Sequence, residues 1–223
     1  MPPGLIERAE RSLNAVIFDG YGMTEASYIT GQGPDPEDRR KGTVGPPLNS
    51  VIRVLDPAGR DVAPGTTGAI VIRGATLFPG YLDDAEANAA AFLPGGWFRT
   101  GDLGYLDGDG CLALVGRVNE LINRGGEKIA PAEVDHALLS HPAVAEAAAF
   151  AIPDARLGED IVAAVVFRAG QTASARDLRE WLLHRLAPAK APRRIWPVDA
   201  LPRTSTGKVQ RGELARRWRE TGG

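Results

Sequence analysis

The pattern of apolar and polar positions divides the chain into two stretches of different character. Gly4 to Ser12 reads as a short helix, and Val16-Ile17-Phe18 follows as a buried strand leading into a loop from Asp19 to Thr24. Gly31 to Lys41 is polar and rich in Gly, Pro and Asp, which predicts a mobile surface loop. Ser50 to Leu55 and Gly68 to Arg73 alternate and predict strands. Tyr105-Leu106, the Asp107-Gly108-Asp109-Gly110 tip and Cys111 to Val115 predict a hairpin with turn residues at its tip. Up to about residue 118 this is material for a small antiparallel sheet or barrel.

The second stretch mixes helices with strands. Pro131 suits the first position of a helix, Glu133 suits its positive end, and Val134, Ala137 and Leu138 give it an apolar face before His141-Pro142 stops it. Val144 to Ile152 and Ile161 to Phe167 predict strands. Ser174 predicts a helix cap, with Leu178, Trp181, Leu182 and Leu186 at helical spacing, and a last helix is expected over Gly212 to Arg219. The expected organisation is a domain over residues 1–118 and a smaller α+β domain over 119–223, with Trp181 and Trp196 in the core of the latter.

Composition narrows the class. The 223 residues are 43% hydrophobic, enough for one large core or two modest ones. A net charge of -2 gives no global attraction to nucleic acid or an anionic membrane, and the arginines of the last helix read as a solvated face. With a single cysteine, Cys111, no internal disulfide forms, and a reducing cytoplasm is the expected setting. No apolar run approaches the roughly 20 residues needed to span a bilayer. His136, His141 and His184 are not spaced as a metal site.

Four polar segments are not explained by packing. Tyr21-Gly22-Met23-Thr24-Glu25 offers an aromatic face for a base, a glycine for close ligand approach, and oxygen ligands for a phosphate-bound magnesium. Taken alone, its plainer reading is a strand-end turn with a capping Thr. In Trp97-Phe98-Arg99-Thr100-Gly101-Asp102-Leu103, an Asp in a Gly-bracketed loop can accept from both hydroxyls of a ribose. Gly116-Arg117-Val118-Asn119 precedes Asn123-Arg124-Gly125-Gly126-Glu127-Lys128, whose glycine pair would let a narrow chain pass. Leu201-Pro202-Arg203-Thr204-Ser205-Thr206-Gly207-Lys208 carries a lysine on a flexible loop, a point charge for a phosphate or carboxylate. The last segment is not a Walker loop, because Val209 follows the lysine.

In this order and spacing the four segments resemble the adenylate-forming superfamily: acyl-CoA synthetases, luciferases and peptide-synthetase adenylation domains. The resemblance covers essentially the whole chain. It implies an α/β and α+β fold: the end of a large N-terminal domain, with a small distorted β-barrel, followed by a small α+β lid. It further implies an ATP-dependent, AMP-forming ligase that makes an acyl-adenylate from a carboxylic acid and then a thioester. Tyr21 would stack beside the adenine, Gly22 would belong to the ATP/AMP-binding residues and line the near wall of the acid pocket with Met23, Thr24 would meet the α-phosphate, and Glu25 would hold Mg²⁺. Asp102 and Arg117 would grip the ribose, and Lys208 would bridge carboxylate and α-phosphate. Gly125 and Gly126 would pass the pantetheine of coenzyme A, and Asn119 would be the hinge, where the family more often has Asp or Lys. The resemblance implies that these segments gather around one AMP at some stage of the cycle.

Family members begin with several hundred residues, including a phosphate loop ending in lysine, that have no counterpart in this sequence. Activity is therefore expected only with that part supplied in cis or in trans. Arg124 to Ile129 looks more like acyl-CoA ligases, so coenzyme A is the expected thiol. The alternatives are a carrier-protein phosphopantetheine as acceptor, or a non-catalytic remnant that binds nucleotide or a partner protein.

Overall fold

The computed structural model describes residues 3–33 and 35–222, so Pro34 of the expected loop over residues 31–41 lies outside the described residues. Contacts divide the chain between Asn119 and Glu120 into two compact units.

The first unit starts with helix α1 (Pro3–Leu13) and the hairpin β1 (Gly20–Met23) and β2 (Ser27–Gly31). Thr24-Glu25-Ala26 form the hairpin turn, with the Ala26 N–H donating to the Met23 carbonyl at 3.2 Å. The ladder slips one residue between Tyr21 and Gly22. At that bulge a Cβ on Gly22 would stand 2.5 Å from the Ser27 carbonyl oxygen, so only glycine fits without a shift. The expected loop over 19–24 is thus mostly strand. The expected buried strand Val16-Ile17-Phe18 is instead extended chain, with Val16 50% and Phe18 47% exposed. An apolar run becomes a buried strand only beside a partner, and among the described residues none pairs with it. The Glu10 carboxylate takes the Ile17 N–H at 3.1 Å in place of a ladder bond.

The rest of this unit is one sheet with a short helix. It comprises β3 (Ser50–Leu55), β4 (Gly68–Gly74), helix α2 (Ala85–Ala91), β5 (Phe92–Leu93), β6 (Trp97–Leu106) and β7 (Leu112–Arg117). The order is β3-β4-β6, with β5 and β7 both pairing with β6. No closed barrel forms among the described residues. Closure needs the first and last strands to pair, and β5, at two residues, is too short to make an edge ladder with β3. Ile52, Ile70, Ile72, Phe98 and Leu112 form the core together with Tyr21 and Ile29 of the hairpin. Phe78, Phe92 and Phe98 close one side of it with ring centroids 5.3–5.9 Å apart.

The second unit contains β8 (Ile122–Arg124), β9 (Glu127–Ile129), α3 (Pro131–Leu139), β10 (Val144–Asp154), β11 (Gly158–Phe167), α4 (Ala175–Leu183), β12 (Arg194–Pro197) and α5 (Arg211–Glu220). The hairpin β10–β11 is its centre. The far side of β11 pairs antiparallel with β8 at Arg124 and parallel with β12. Alternate residues go to opposite faces. Ala147, Ala149, Ile161, Ala163 and Val165 join the cluster of α3 and α4, whereas Ala148, Phe150, Val162 and Ala164 join Leu214 of α5. The near-continuous apolar run of β10 and β11 follows from this double cover. Trp181 and Trp196 are only half-buried, at the margins of these cores. An indole needs a partner for its N–H, and Trp181 reaches the Ala137 carbonyl and Ser140 Oγ, each at 3.1 Å.

Candidate active site

In the first unit three distant segments meet at Asp102. The sequence pattern places Asp102 in a loop, but the structure places it on β6. The reason is a bulge: Ala69 and Val71 of β4 face Leu103 and Arg99, so Thr100, Gly101 and Asp102 stand opposite one residue. Gly101 takes φ 76° there, and the Thr100 hydroxyl ties the bulge to the Ile70 carbonyl at 3.0 Å while accepting the Asp102 N–H at 3.1 Å. Bulges of this kind re-aim a side chain.

The carboxylate has one protein partner for each oxygen. Oδ2 accepts the Tyr21 hydroxyl at 2.5 Å, and Oδ1 lies 3.1 Å from Arg117 Nε, from the strand that pairs beside it. Tyr21 is 7% exposed, and burial, reinforced by the Asp102 carboxylate, pushes its phenol far above the usual range, so it stays a donor. Asp102 keeps 17% of its side chain exposed and Arg117 nearly half, which leaves acceptor capacity and guanidinium donors facing outward.

Thr24 and Glu25 lie at the turn of the same hairpin. Thr24 is exposed. One oxygen of Glu25 accepts from the Tyr81 hydroxyl at 3.1 Å, and the Glu25 carbonyl takes the Phe78 N–H at 2.7 Å. Tyr81 stands edge-on to Phe78 at 4.9 Å, and its main chain is held on both sides by Asn88, at 2.7 and 2.9 Å. Sequence reasoning missed Tyr81. Its only signal was an aromatic residue three positions before the α2 cap at Asp84, which does not separate a site from packing. Among the described residues no group of three or more His, Cys, Asp or Glu could hold a metal. Magnesium in nucleotide sites uses one or two carboxylates plus phosphate oxygens and water, so the single Glu25, with one oxygen taken, fits that ion.

In the second unit Gly125 and Gly126 form the tip of the β8–β9 hairpin, with φ of 61° and 94°. A Cβ on Gly126 would meet nothing within 4 Å, so its face is open, while one on Gly125 would touch Leu157 at 3.2 Å. Asn119, exposed in the short 3-10 turn Val118–Glu120, borders the division between the units. Lys208 sits on a closed turn rather than a flexible loop. The Thr204 N–H donates to the Lys208 carbonyl at 2.8 Å, the Gly207 N–H donates to the Thr204 carbonyl at 2.9 Å, and Arg203 bridges to Val209. The Thr204 hydroxyl accepts the Lys208 N–H, so the Thr-Ser-Thr-Gly sequence supplies the turn chemistry that closes it. Lys208 is exposed, and among the described residues its Nζ has no hydrogen-bond or ion-pair partner. Cys111 is buried, and burial raises its thiol pKa.

The fold is mixed α/β, and comparison with known proteins gives the family. Residues 1–82 match the family described as AMP-binding enzyme, and residues 133–208 match the AMP-binding enzyme C-terminal domain. The chain belongs to this family of adenylate-forming enzymes. It is 45% identical over 217 residues to a probable CoA ligase of Humulus lupulus, covering 96% of this chain and 41% of that protein. It is 42% identical over 222 residues to an oxalate–CoA ligase of Arabidopsis thaliana, covering 99% of this chain and 43% of the relative. The chain thus spans well under half the length of these relatives. Among solved structures, the o-succinylbenzoate CoA synthetase of Bacillus subtilis in complex with its acyl-adenylate intermediate superposes with a TM-score of 0.83 at 37% identity, over 96% of this chain and 43% of that one.

Proposed function

We propose that this chain carries the nucleotide-gripping and lysine-bearing portion of an ATP-dependent, AMP-forming ligase that joins a carboxylic acid to coenzyme A. The observation that carries the reading is Asp102, a carboxylate oriented by Tyr21 on one oxygen and Arg117 on the other, with part of its surface still open. Such a group can accept from two neighbouring ribose hydroxyls at once. Arg117 adds a second grip near the ribose, Tyr21 stacks beside the adenine, and Gly22 lets the nucleotide and acid approach the backbone.

At the turn of the same hairpin, Thr24 meets the α-phosphate and Glu25 holds Mg²⁺, with Tyr81 fixing the carboxylate. The ion, when bound, neutralises phosphate charge. In the first half-reaction a carboxylate oxygen bonds to the α-phosphorus and pyrophosphate leaves. Lys208 stabilises the negative charge that grows between the two, a role suited to a lysine with no ion-pair partner among the described residues, carried on a hydrogen-bonded turn. In the second half-reaction the thiol attacks the acyl carbon and AMP leaves, with Gly125 and Gly126 leaving room for the pantetheine chain. Asn119 is the hinge residue between residues 1–118 and the small domain. The CoA-ligase relatives support coenzyme A as the thiol.

The test uses the enzyme assembled from this chain and the phosphate-loop portion of the family. Lys208→Ala is expected to lower pyrophosphate exchange by about 10²–10³-fold, the usual loss for one charge-stabilising donor. Thioester formation from a preformed adenylate should stay within about threefold of the parent. Both steps keeping the parent rate in the variant would remove Lys208 from the first half-reaction.

A further inference from the structure

The second unit contains two buried carboxylates, Asp135 (7% exposed) and Asp160 (3%), and the described residues include no others that are buried. A buried charge costs stability, and an apolar side chain of similar shape serves a core as well or better. Their partners indicate what each does. Asp160 on β11 pairs with Arg124 Nε at 2.9 Å, and the same guanidinium donates to the carbonyls of Ala189 and Ala191 at 2.6 and 3.0 Å. Arg124 is the residue immediately before Gly125. Asp135 on α3 pairs with Arg211 Nη2 at 2.6 Å and accepts the Ala149 N–H at 2.5 Å, while Arg211 Nη1 returns to the Ala149 carbonyl at 2.7 Å. Arg211 opens α5, three residues after Lys208, and its Nε also reaches Glu120 at 3.4 Å.

The two arrangements share a plan. In each, an arginine adjoins an exposed loop, a buried aspartate takes one side of its fork, and main-chain carbonyls take another. Such a fork fixes direction as well as distance, which a point charge does not. Each pair also has separate neighbours: no residue bonded to Arg124 or Asp160 is bonded to Arg211 or Asp135.

We infer that Asp160–Arg124 and Asp135–Arg211 are separate positioning devices, the first holding the Gly125–Gly126 tip and the second holding the Lys208 turn. Asp160 and Asp135 touch neither loop directly, and each acts through its arginine. The consequence for catalysis rests on the roles given to the loops under Proposed function. Asp160 then governs thioester formation and Asp135 governs adenylate formation.

The experiment has two readouts on Asp160→Asn and Asp135→Asn. The first is amide hydrogen exchange of this chain, with Gly125 N–H, bonded to the Leu157 carbonyl, reporting one loop and Thr204 and Gln210 N–H reporting the other. Asp160→Asn should speed exchange at Gly125 about tenfold and leave Thr204 and Gln210 within about twofold, and Asp135→Asn should do the reverse. The second readout is the pair of half-reactions in the assembled enzyme, where the matching step should fall about tenfold and the other should hold within about twofold. Arg124→Lys and Arg211→Lys, which keep the charge and lose the fork, should give weaker versions of the same split, and they serve if an Asn variant does not fold. Exchange that rises alike at all three amides, or loss of both half-reactions together, overturns the inference. Loop-selective exchange without a matching kinetic split upholds the two ties and overturns the roles assigned to the loops.

Discussion

At the scale of the residue, the site depends on how one carboxylate is held. Tyr21→Phe keeps the ring and its packing but removes the donor to Asp102 Oδ2. A hydrogen bond to a charged acceptor is worth about 1.5–3 kcal/mol, and the low end applies because Asp102 keeps Arg117 and some solvent. Urea unfolding of the variant should therefore show a loss of about 1.5 kcal/mol with unchanged slope. An unchanged midpoint would mean the bond does not form. Tyr21, Asp102 and Arg117 stood out in the sequence as candidates because they sit in segments that no packing pattern explains. Their pairing was not legible. That Tyr21 and Asp102, 81 positions apart, share a hydrogen bond depends on the bulge at Thr100–Asp102, and a bulge leaves no trace in the alternation of apolar residues.

At the scale of the element, local chemistry and tertiary cover account for different results. Helix α4 was readable from its start because Ser174 and Asp177 make a reciprocal capping box, each side chain accepting the other's N–H. Ser174→Ala should cost about 1 kcal/mol, read as a lower thermal midpoint, and Ser174→Thr should retain most of the stability. If the two variants melted alike, the cap would carry no weight. Helix α3 was readable from Pro131 at its first turn, and the hairpin β10–β11 from its two apolar runs. Val16-Ile17-Phe18 misled because an apolar triplet states only a demand for cover, and whether a neighbouring strand meets it is a fact about another part of the fold. The Lys208 segment misled in the opposite direction: its small polar residues read as freedom, whereas Thr204 and Gly207 use their polar groups to close the turn.

At the scale of the whole molecule, the buried clusters sort cleanly. One lies wholly before Asn119, and the other two, on opposite faces of the β10–β11 sheet, lie wholly after it. Residues 120–223 expressed alone should therefore give a single cooperative urea transition of their own. A gradual, non-cooperative loss of far-UV signal would contradict that expectation. Among the described residues, none of the three buried clusters draws members from both sides of Asn119. Grafting the stretch after Asn119 from a distant cousin would import a finished interior, whereas a seam within β10 would cut through two interiors at once.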